Sequence, residues 1–319
     1  MRYRHFAPLG RDLSVLVLGT SVYRHATADT STELLDAWFE LGGNVVDCGR
    51  EYGESERILG HWLGDDDRRA DVVVVTKGAH QVEDRRRVTP ADISGDLLES
   101  LGVLGAGSIG IYMLHRDDPS QPVGPLVEIL NEHRRAGRIG AFGCSNWSTT
   151  RLTEANEYAR THGVEAISCS SPGLSLAQQR EPPWPDCVSA DDPVSLAWYE
   201  RTGMPVFAWS SQAGGFFAGV DGPDAARVYG GEGNLERLRR ARELGERIGH
   251  TANEVALAWV LTQPFPTYAI IGPRTVDELH RSVAALEIEL TPEERGWLNL
   301  ENESVRADSE RPLGGVEAI

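Results

Sequence analysis

Lysine is all but missing from this chain of 319 residues: apart from histidine, every basic side chain is arginine except Lys77. Compositional bias would leave such a chain short of lysine, but it does not explain why one is kept at the end of an apolar run. Arginine carries a permanent, delocalised charge, whereas lysine is a compact charge whose proton affinity responds to burial and to neighbours. Positive charge is scarce overall, with 48 acidic against 31 basic residues and a formal charge of −17. That balance argues against nucleic acid or an anionic membrane as partner, and any anionic ligand would need a local arginine pocket. Apolar runs long enough to cross a bilayer are absent from the sequence. The start, Met1-Arg2-Tyr3-Arg4-His5, lacks the apolar core of a signal peptide, so the expectation is a cytoplasmic chain. The four cysteines, Cys48, Cys144, Cys169 and Cys187, show no C-x-x-C or metal-ligand spacing. Three of them lie in or beside apolar segments, where a buried free thiol is the usual reading. Nothing in the sequence sets an oligomeric state, and a monomer is the default.

What is present is an alternation. Eight short apolar segments read as strands: Ser14–Gly19, Asn44–Asp47, Asp71–Thr76, Ser108–Leu114, Gly137–Gly143, Val164–Ser170, Pro205–Trp209 and Thr267–Ile271. Segments of this kind suit strands covered on both faces of a parallel sheet. Between them, 3.6-residue periodicity predicts helices over Ser31–Leu41, Ser55–Leu63, Ala91–Leu101, Gly124–Arg135, Ser148–His162 and Asn234–Ile248. Thr30 with Glu33 has capping-box spacing, and Thr89-Pro90 and Thr291-Pro292 read as helix starts. The helices Ala252–Leu261 and Pro292–Leu300 fall outside the simple alternation. The pattern predicts an α/β protein, a single (β/α)₈ TIM barrel over residues 1–319 with two extra helices and long loops on its C-terminal face. An open doubly wound sheet is the alternative, weakened by the lack of G-x-G-x-x-G after the first strand. Three loops exceed what a barrel needs: Arg180 to Pro185, the glycine-rich Ser211 to Gly233, and a polar tail within 301–319 for which disorder and a lid both fit.

In a barrel, the residues that follow the strands share one rim, where such folds keep their chemistry. The second strand ends in Asp47, with Tyr52 shortly after it; the third ends in Lys77; the fourth delivers His115. Each has an ordinary alternative: Asp47 as a turn cap, His115 as a rim histidine, Tyr52 as a core aromatic. Together they make a proton-delivery device. A phenol is a weak acid near neutrality unless a cation favours the phenolate; Lys77 is that cation, Asp47 holds it charged, and His115 orients a substrate oxygen.

The motifs Asp47-x₄-Tyr52-Gly53, Ser55-Glu56, Thr76-Lys77, Leu114-His115-Arg116 and Gly143-Cys144-Ser145-Asn146-Trp147 resemble, in order, the signature of the aldo-keto reductases, across residues 1 to 300. The resemblance implies a barrel that reduces an aldehyde or ketone with NADPH and without metal, with Tyr52 as general acid, Lys77 and Asp47 as its tuning pair and His115 as carbonyl orienter. It also implies cofactor contacts. Gly19 and Thr20 would make the first; Ser145 and Asn146 would meet the nicotinamide amide; Trp209 would stack where a tyrosine is usual; Ser171 stands near a customary glutamine. Ser210, Ser211, Gln212 and Gly214 would wrap the pyrophosphate through backbone N–H groups. Gly272 and Arg274 would meet a 2′-phosphate, and Glu278 and Ser282 stand near the adenine. Specificity is expected from Arg50, Trp147, Trp184, Phe216 and Phe217. Two other readings stay open: a Schiff-base lyase using Lys77, and an NADPH-binding regulatory subunit with little turnover.

Overall fold

Short runs of β-branched and aliphatic residues form the strands. A computed structural model gives the structure of residues 1–22, 28–64 and 66–303. A hairpin of β1 (Tyr3–Phe6) and β2 (Arg11–Ser14) precedes the barrel strands. These are β3 (Leu16–Gly19), β4 (Val45–Asp47), β5 (Val73–Gly78), β6 (Ile109–Leu114), β7 (Ile139–Ser145), β8 (Cys169–Ser171), β9 (Val206–Ala208) and β10 (Thr267–Ile271). All eight pair in parallel, in chain order, and β10 closes on β3. The eight expected strands are therefore present, and closure rules out the open sheet.

Side chains alternate across a strand, so each barrel strand has one inward and one outward series. The inward series Val17, Val45, Val73, Val75, Ile111, Met113, Ala141, Cys169, Phe207, Tyr268 and Ile270 packs into a core inside the barrel. The hairpin plugs one end: Phe6 packs edge-on to Phe207 and Tyr268, with ring centroids 6.0 Å apart in both pairs. The outward series, including Leu16, Leu18, Val46, Tyr112, Leu114, Phe142, Cys144, Ala208 and Ile271, packs against the helices.

The helices are α1 (Ala28–Glu40), α2 (Ser55–Trp62), α3 (Asp66–Asp71), α4 (Pro90–Leu104), α5 (Val123–Arg135), α6 (Thr149–His162), α7 (Pro193–Thr202), α8 (Pro223–Tyr229), α9 (Glu232–Ile248), α10 (Ala252–Leu261), α11 (Val276–Ala284) and α12 (Pro292–Leu298). Their starts use the expected chemistry at Thr89 and Thr291, whose hydroxyls accept from the N–H of Asp92 and Glu294. Thr30 and Glu33 do not frame the start of α1, because that helix begins two residues earlier, at Ala28. Helix α10 is not the surplus one. It packs on β10 and is buried almost all round, while α9 packs on α10 and α12. The charged α9, not α10, thus lies outside the barrel layer. The expected strand over Val164–Ser170 shortens to β8 because side-chain amides take over its first residues. Asn131 pairs with both backbone polar groups of Glu165, and Asn156 accepts from the N–H of Ile167. The glycine-rich Ser211 to Gly233 segment holds a 3₁₀ stretch, Ala213–Ala218, and α8. Of the expected tail, 304–319 lies outside the described residues.

Gly78, next to Lys77, has no room for a side chain: a Cβ there would sit 2.1 Å from Tyr112 Oη and 2.7 Å from Asp96 Cβ. Gly78→Ala is expected to cost about 1–3 kcal/mol by overpacking, and adding Tyr112→Phe, which removes the nearest atom, is expected to recover part of it. Urea unfolding of the two variants checks this.

Candidate active site

The inward series of several strands does not stop at the barrel core; two residues further on it reaches the rim. Val45 leads to Asp47, Val75 to Lys77, Met113 to His115, Gly143 to Ser145, Cys169 to Ser171 and Phe207 to Trp209. Strand parity therefore brings together side chains that are far apart in sequence. Asp47, Lys77 and His115 are all buried, at 3%, 2% and 6% exposure. Lys77 Nζ donates to Asp47 Oδ2 at 2.5 Å, to the Cys48 carbonyl at 3.0 Å and to Tyr52 Oη at 3.5 Å. Three acceptors thus share the three N–H bonds of an ammonium. The Tyr52 ring meets Lys77 Nζ 5.0 Å from its centroid and His115 edge-on at 5.6 Å. A tight turn carries Tyr52 there, its N–H donating to the Gly49 carbonyl at 2.9 Å.

Burial works against the charge on Lys77, but the adjacent carboxylate of Asp47, with smaller help from Tyr52 and Cys48, holds the ammonium above the ordinary lysine range. The Asp47 carboxyl is pushed up by burial and pulled back by Lys77. With the lysine shifted upward, the proton of this pair stays on nitrogen. Tyr52 differs from the expectation. Burial raises its phenol above the ordinary range, and Lys77 offsets that only in part, because the charge of Asp47 also raises it. Tyr52 is a neutral phenol at neutral pH.

The other expected contacts divide by what their polar atoms already do. Thr20 turns inward: its hydroxyl donates to the Asp47 carbonyl at 2.9 Å and contacts the Ser55 hydroxyl, so it braces the end of β4. Ser145 donates to the Ser171 carbonyl at 2.8 Å. Asn146 has a left-handed φ of 59°. Its amide nitrogen donates to Ser145 Oγ and to the His115 carbonyl, both at 3.1 Å. By contrast, the Ser171 hydroxyl and the Trp209 indole N–H are buried without a partner among the described residues. Gly19 sits where a Cβ would press on Ile270 and Ile271. Past β9, Ser210 has φ 51° and the chain turns through Gly214 and Gly215 at φ 60° and 89°. There the Ser211 hydroxyl donates to the Ile270 carbonyl at 2.7 Å, and Gln212 donates to Ser282 at 3.3 Å. That last bond ties this loop to the segment after β10. Gly272 and Arg274 are exposed in that segment, and the Glu278 carboxylate accepts from the Arg274 backbone N–H at 2.7 Å.

The expected specificity residues are not all at the site. Trp147 is 1% exposed and donates to the Arg116 carbonyl at 3.2 Å. Arg50 is held by Glu51, Asp96 and Glu99. Phe217 is buried against Phe216, whereas Trp184 is 59% exposed and lies 6.2 Å from Trp209. Two neighbours of the centre had no role in the sequence reading. His80 packs against His115 at 4.9 Å. Arg116 follows His115 directly, and it appeared there only as a motif letter.

Among the described residues no group of histidine, cysteine and carboxylate side chains could hold a metal ion. No helix among them is long and apolar enough to cross a membrane. A family model described as the aldo/keto reductase family matches residues 15–298. The chain is 28% identical to an uncharacterized oxidoreductase, YrpG, of Bacillus subtilis (strain 168), over 94% of this chain and 95% of that one. It is 26% identical to the aryl-alcohol dehydrogenase GME11368 of Pestalotiopsis microspora, covering 84% and 71% of the two chains. It is 27% identical to the norsolorinic acid reductase stcV of Emericella nidulans, covering 92% and 79%.

Removing one partner of a buried charge pair strands the other. Asp47→Asn is expected to lower stability by about 3–5 kcal/mol, and the double variant with Lys77→Met is expected to be more stable than Asp47→Asn alone. Urea unfolding of the single and double variants reads the coupling.

Proposed function

The chain belongs to the aldo/keto reductase family, an NAD(P)H-dependent oxidoreductase by that membership, and from it we propose NADPH-dependent reduction of an aldehyde or ketone to the alcohol. The observation that carries the proposal is a neutral, half-buried phenol 3.5 Å from an ammonium that a carboxylate and a carbonyl also hold. Tyr52 gives its proton to the carbonyl oxygen. The phenolate left behind faces Lys77, whose charge favours it, and a proton from solvent restores the phenol. Asp47 keeps Lys77 charged throughout, and His115, edge-on to Tyr52, orients the carbonyl oxygen toward the phenol. When bound, the dihydronicotinamide supplies the hydride that the carbonyl carbon receives.

The rim suits such a cofactor. Two buried polar atoms have no partner among the described residues, Ser171 Oγ, on the strand next to Ser145, and Trp209 Nε1, as they would in a site completed by a polar ring substituent. Ser145, Asn146, Ser171 and Trp209 would hold the nicotinamide end, with Gly19 leaving room at the end of β3. Ser210, Ser211, Gln212 and Gly214 would hold the pyrophosphate through their backbone, since the Ser211 and Gln212 side chains are engaged elsewhere. Gly272, Arg274, Glu278 and Ser282 would take the adenosine end. Arg274 is exposed and makes no ion pair among the described residues, which favours a 2′-phosphate and so NADPH. Lys77 is unsuited to a Schiff-base lyase, because Asp47 holds it protonated and all three N–H bonds are engaged.

Loss of NADPH absorbance with a panel of aldehydes and ketones tests the activity. Tyr52→Phe is expected to lower kcat by about 10²–10⁴-fold while cofactor binding, read by fluorescence, stays close to wild type. A phenylalanine variant that turns over carbonyls at the wild-type rate removes Tyr52 from the role.

A further inference from the structure

In a chain with a formal charge of −17, the arginines around the rim are mostly neutralised. Arg50 faces Glu51, Asp96 and Glu99; Arg87 faces Asp92 and Asp96; Arg151 faces Asp117 and Glu154. Arg116, like the exposed Arg274, faces no carboxylate among the described residues, but it is buried. It is 9% exposed, and its one side-chain hydrogen bond runs from Nη1 to the His115 carbonyl at 3.0 Å. It forms no ion pair among the described residues. Among the described residues the other buried arginine is Arg237, whose Nη2 donates to the carbonyl and side-chain oxygens of Asn299, both at 3.3 Å, far along the chain from the centre.

The backbone around Arg116 is pinned on both sides. Trp147 donates to its carbonyl at 3.2 Å, and Asn146 donates to the carbonyl of His115 at 3.1 Å. Its charge acts on both the Tyr52 phenol and the Cys187 thiol, the latter in the long loop after β8. A guanidinium carries five N–H donors in a planar fork that matches a carboxylate. The residue is mostly buried, and a charge held there without an anion is stabilised when one arrives.

We propose that Arg116 anchors an anionic group of the carbonyl substrate, so that the enzyme prefers aldehydes or ketones bearing a carboxylate a few bonds from the carbonyl. This assignment rests on the reductase reading for its substrate but not for its anion site. It also gives the acidic chain the local arginine pocket that any anionic ligand needs, in Arg116 rather than in the neutralised Arg50.

The test has two arms, run on wild type, Arg116→Gln and Arg116→Lys after thermal melting has confirmed that the variants fold. In the first, kcat/KM is measured for 2-carboxybenzaldehyde, 4-carboxybenzaldehyde and benzaldehyde. Wild type is expected to favour at least one carboxylated aldehyde about tenfold or more over benzaldehyde, as suits a charge-assisted pair. That ratio is expected to fall about tenfold in Arg116→Gln and to be partly restored in Arg116→Lys. In the second arm, benzoate binding is followed by tryptophan fluorescence, with no turnover needed, and is expected to weaken by a similar factor in Arg116→Gln. If wild type reduces no carbonyl yet binds benzoate through Arg116, the reductase reading fails and the anion site stands. A discrimination ratio unchanged in Arg116→Gln, or benzoate binding unaffected by it, overturns the assignment.

Discussion

A carboxylate and an ammonium sealed together at the mouth of the barrel are the constraint on which the rest of the site depends. Neither Asp47 nor Lys77 could be buried to within a few per cent without the other, because an isolated charge there would go unsolvated. Their contact is short and multiply supported. Lys77 also reaches the Cys48 carbonyl, and the Thr20 hydroxyl holds the carbonyl of Asp47 from behind. Such a pair contributes little net stability compared with an apolar replacement. What it provides is position: one fixed positive charge set against one phenol. The neighbouring strands respect that arrangement. Gly78 leaves space for Tyr112 and Asp96 beside the lysine, and Glu56 of α2 accepts from the Thr76 hydroxyl at 2.6 Å on the opposite face of β5. Lysine rather than arginine fits here, since a single nitrogen can share its N–H bonds among three acceptors at different angles.

The same alternation that fills the barrel core chooses which residues reach the centre. Residues at every second position of β4, β5, β6, β7, β8 and β9 are aliphatic, aromatic or small inside the barrel and polar or amphipathic at the rim. Fold and chemistry are therefore one pattern read at two heights. This explains how a phenol and an imidazole can come within 5.6 Å of each other, ring to ring, although 63 residues separate Tyr52 from His115 in the chain.

Much of this was legible in the sequence, because strand parity and strand ends are local properties. The runs ending in Asp47, Lys77 and His115 announce themselves as apolar segments closing on a polar residue. Less legible was whatever depends on which partner a polar atom finds. Thr20 reads as a cofactor contact, yet its hydroxyl is taken by Asp47 and Ser55. Arg50 reads as a specificity residue, yet three carboxylates from α4 and the adjoining turn claim it. Arg116 was passed over because nothing local shows that a guanidinium lacks a carboxylate; only the fold reveals that. Helix α10 was misplaced for a related reason. Its nearly uniform apolar surface marks burial on all sides, and periodicity alone does not say whether a strand or another helix covers each side. The effect of burial on Tyr52 was underestimated because the sequence shows the nearby cation but not the loss of solvent.

Lys77 acts on Tyr52 electrostatically across the gap between them, opposing burial. Carbon-13 chemical shifts of the Tyr52 ring, followed against pH in wild type and in Lys77→Met, test it most directly. The phenol of the wild type is expected to ionise above the ordinary tyrosine range, and removal of the ammonium is expected to move ionisation higher still. A Tyr52 titration that is the same in both proteins, or lower in the variant, would contradict it.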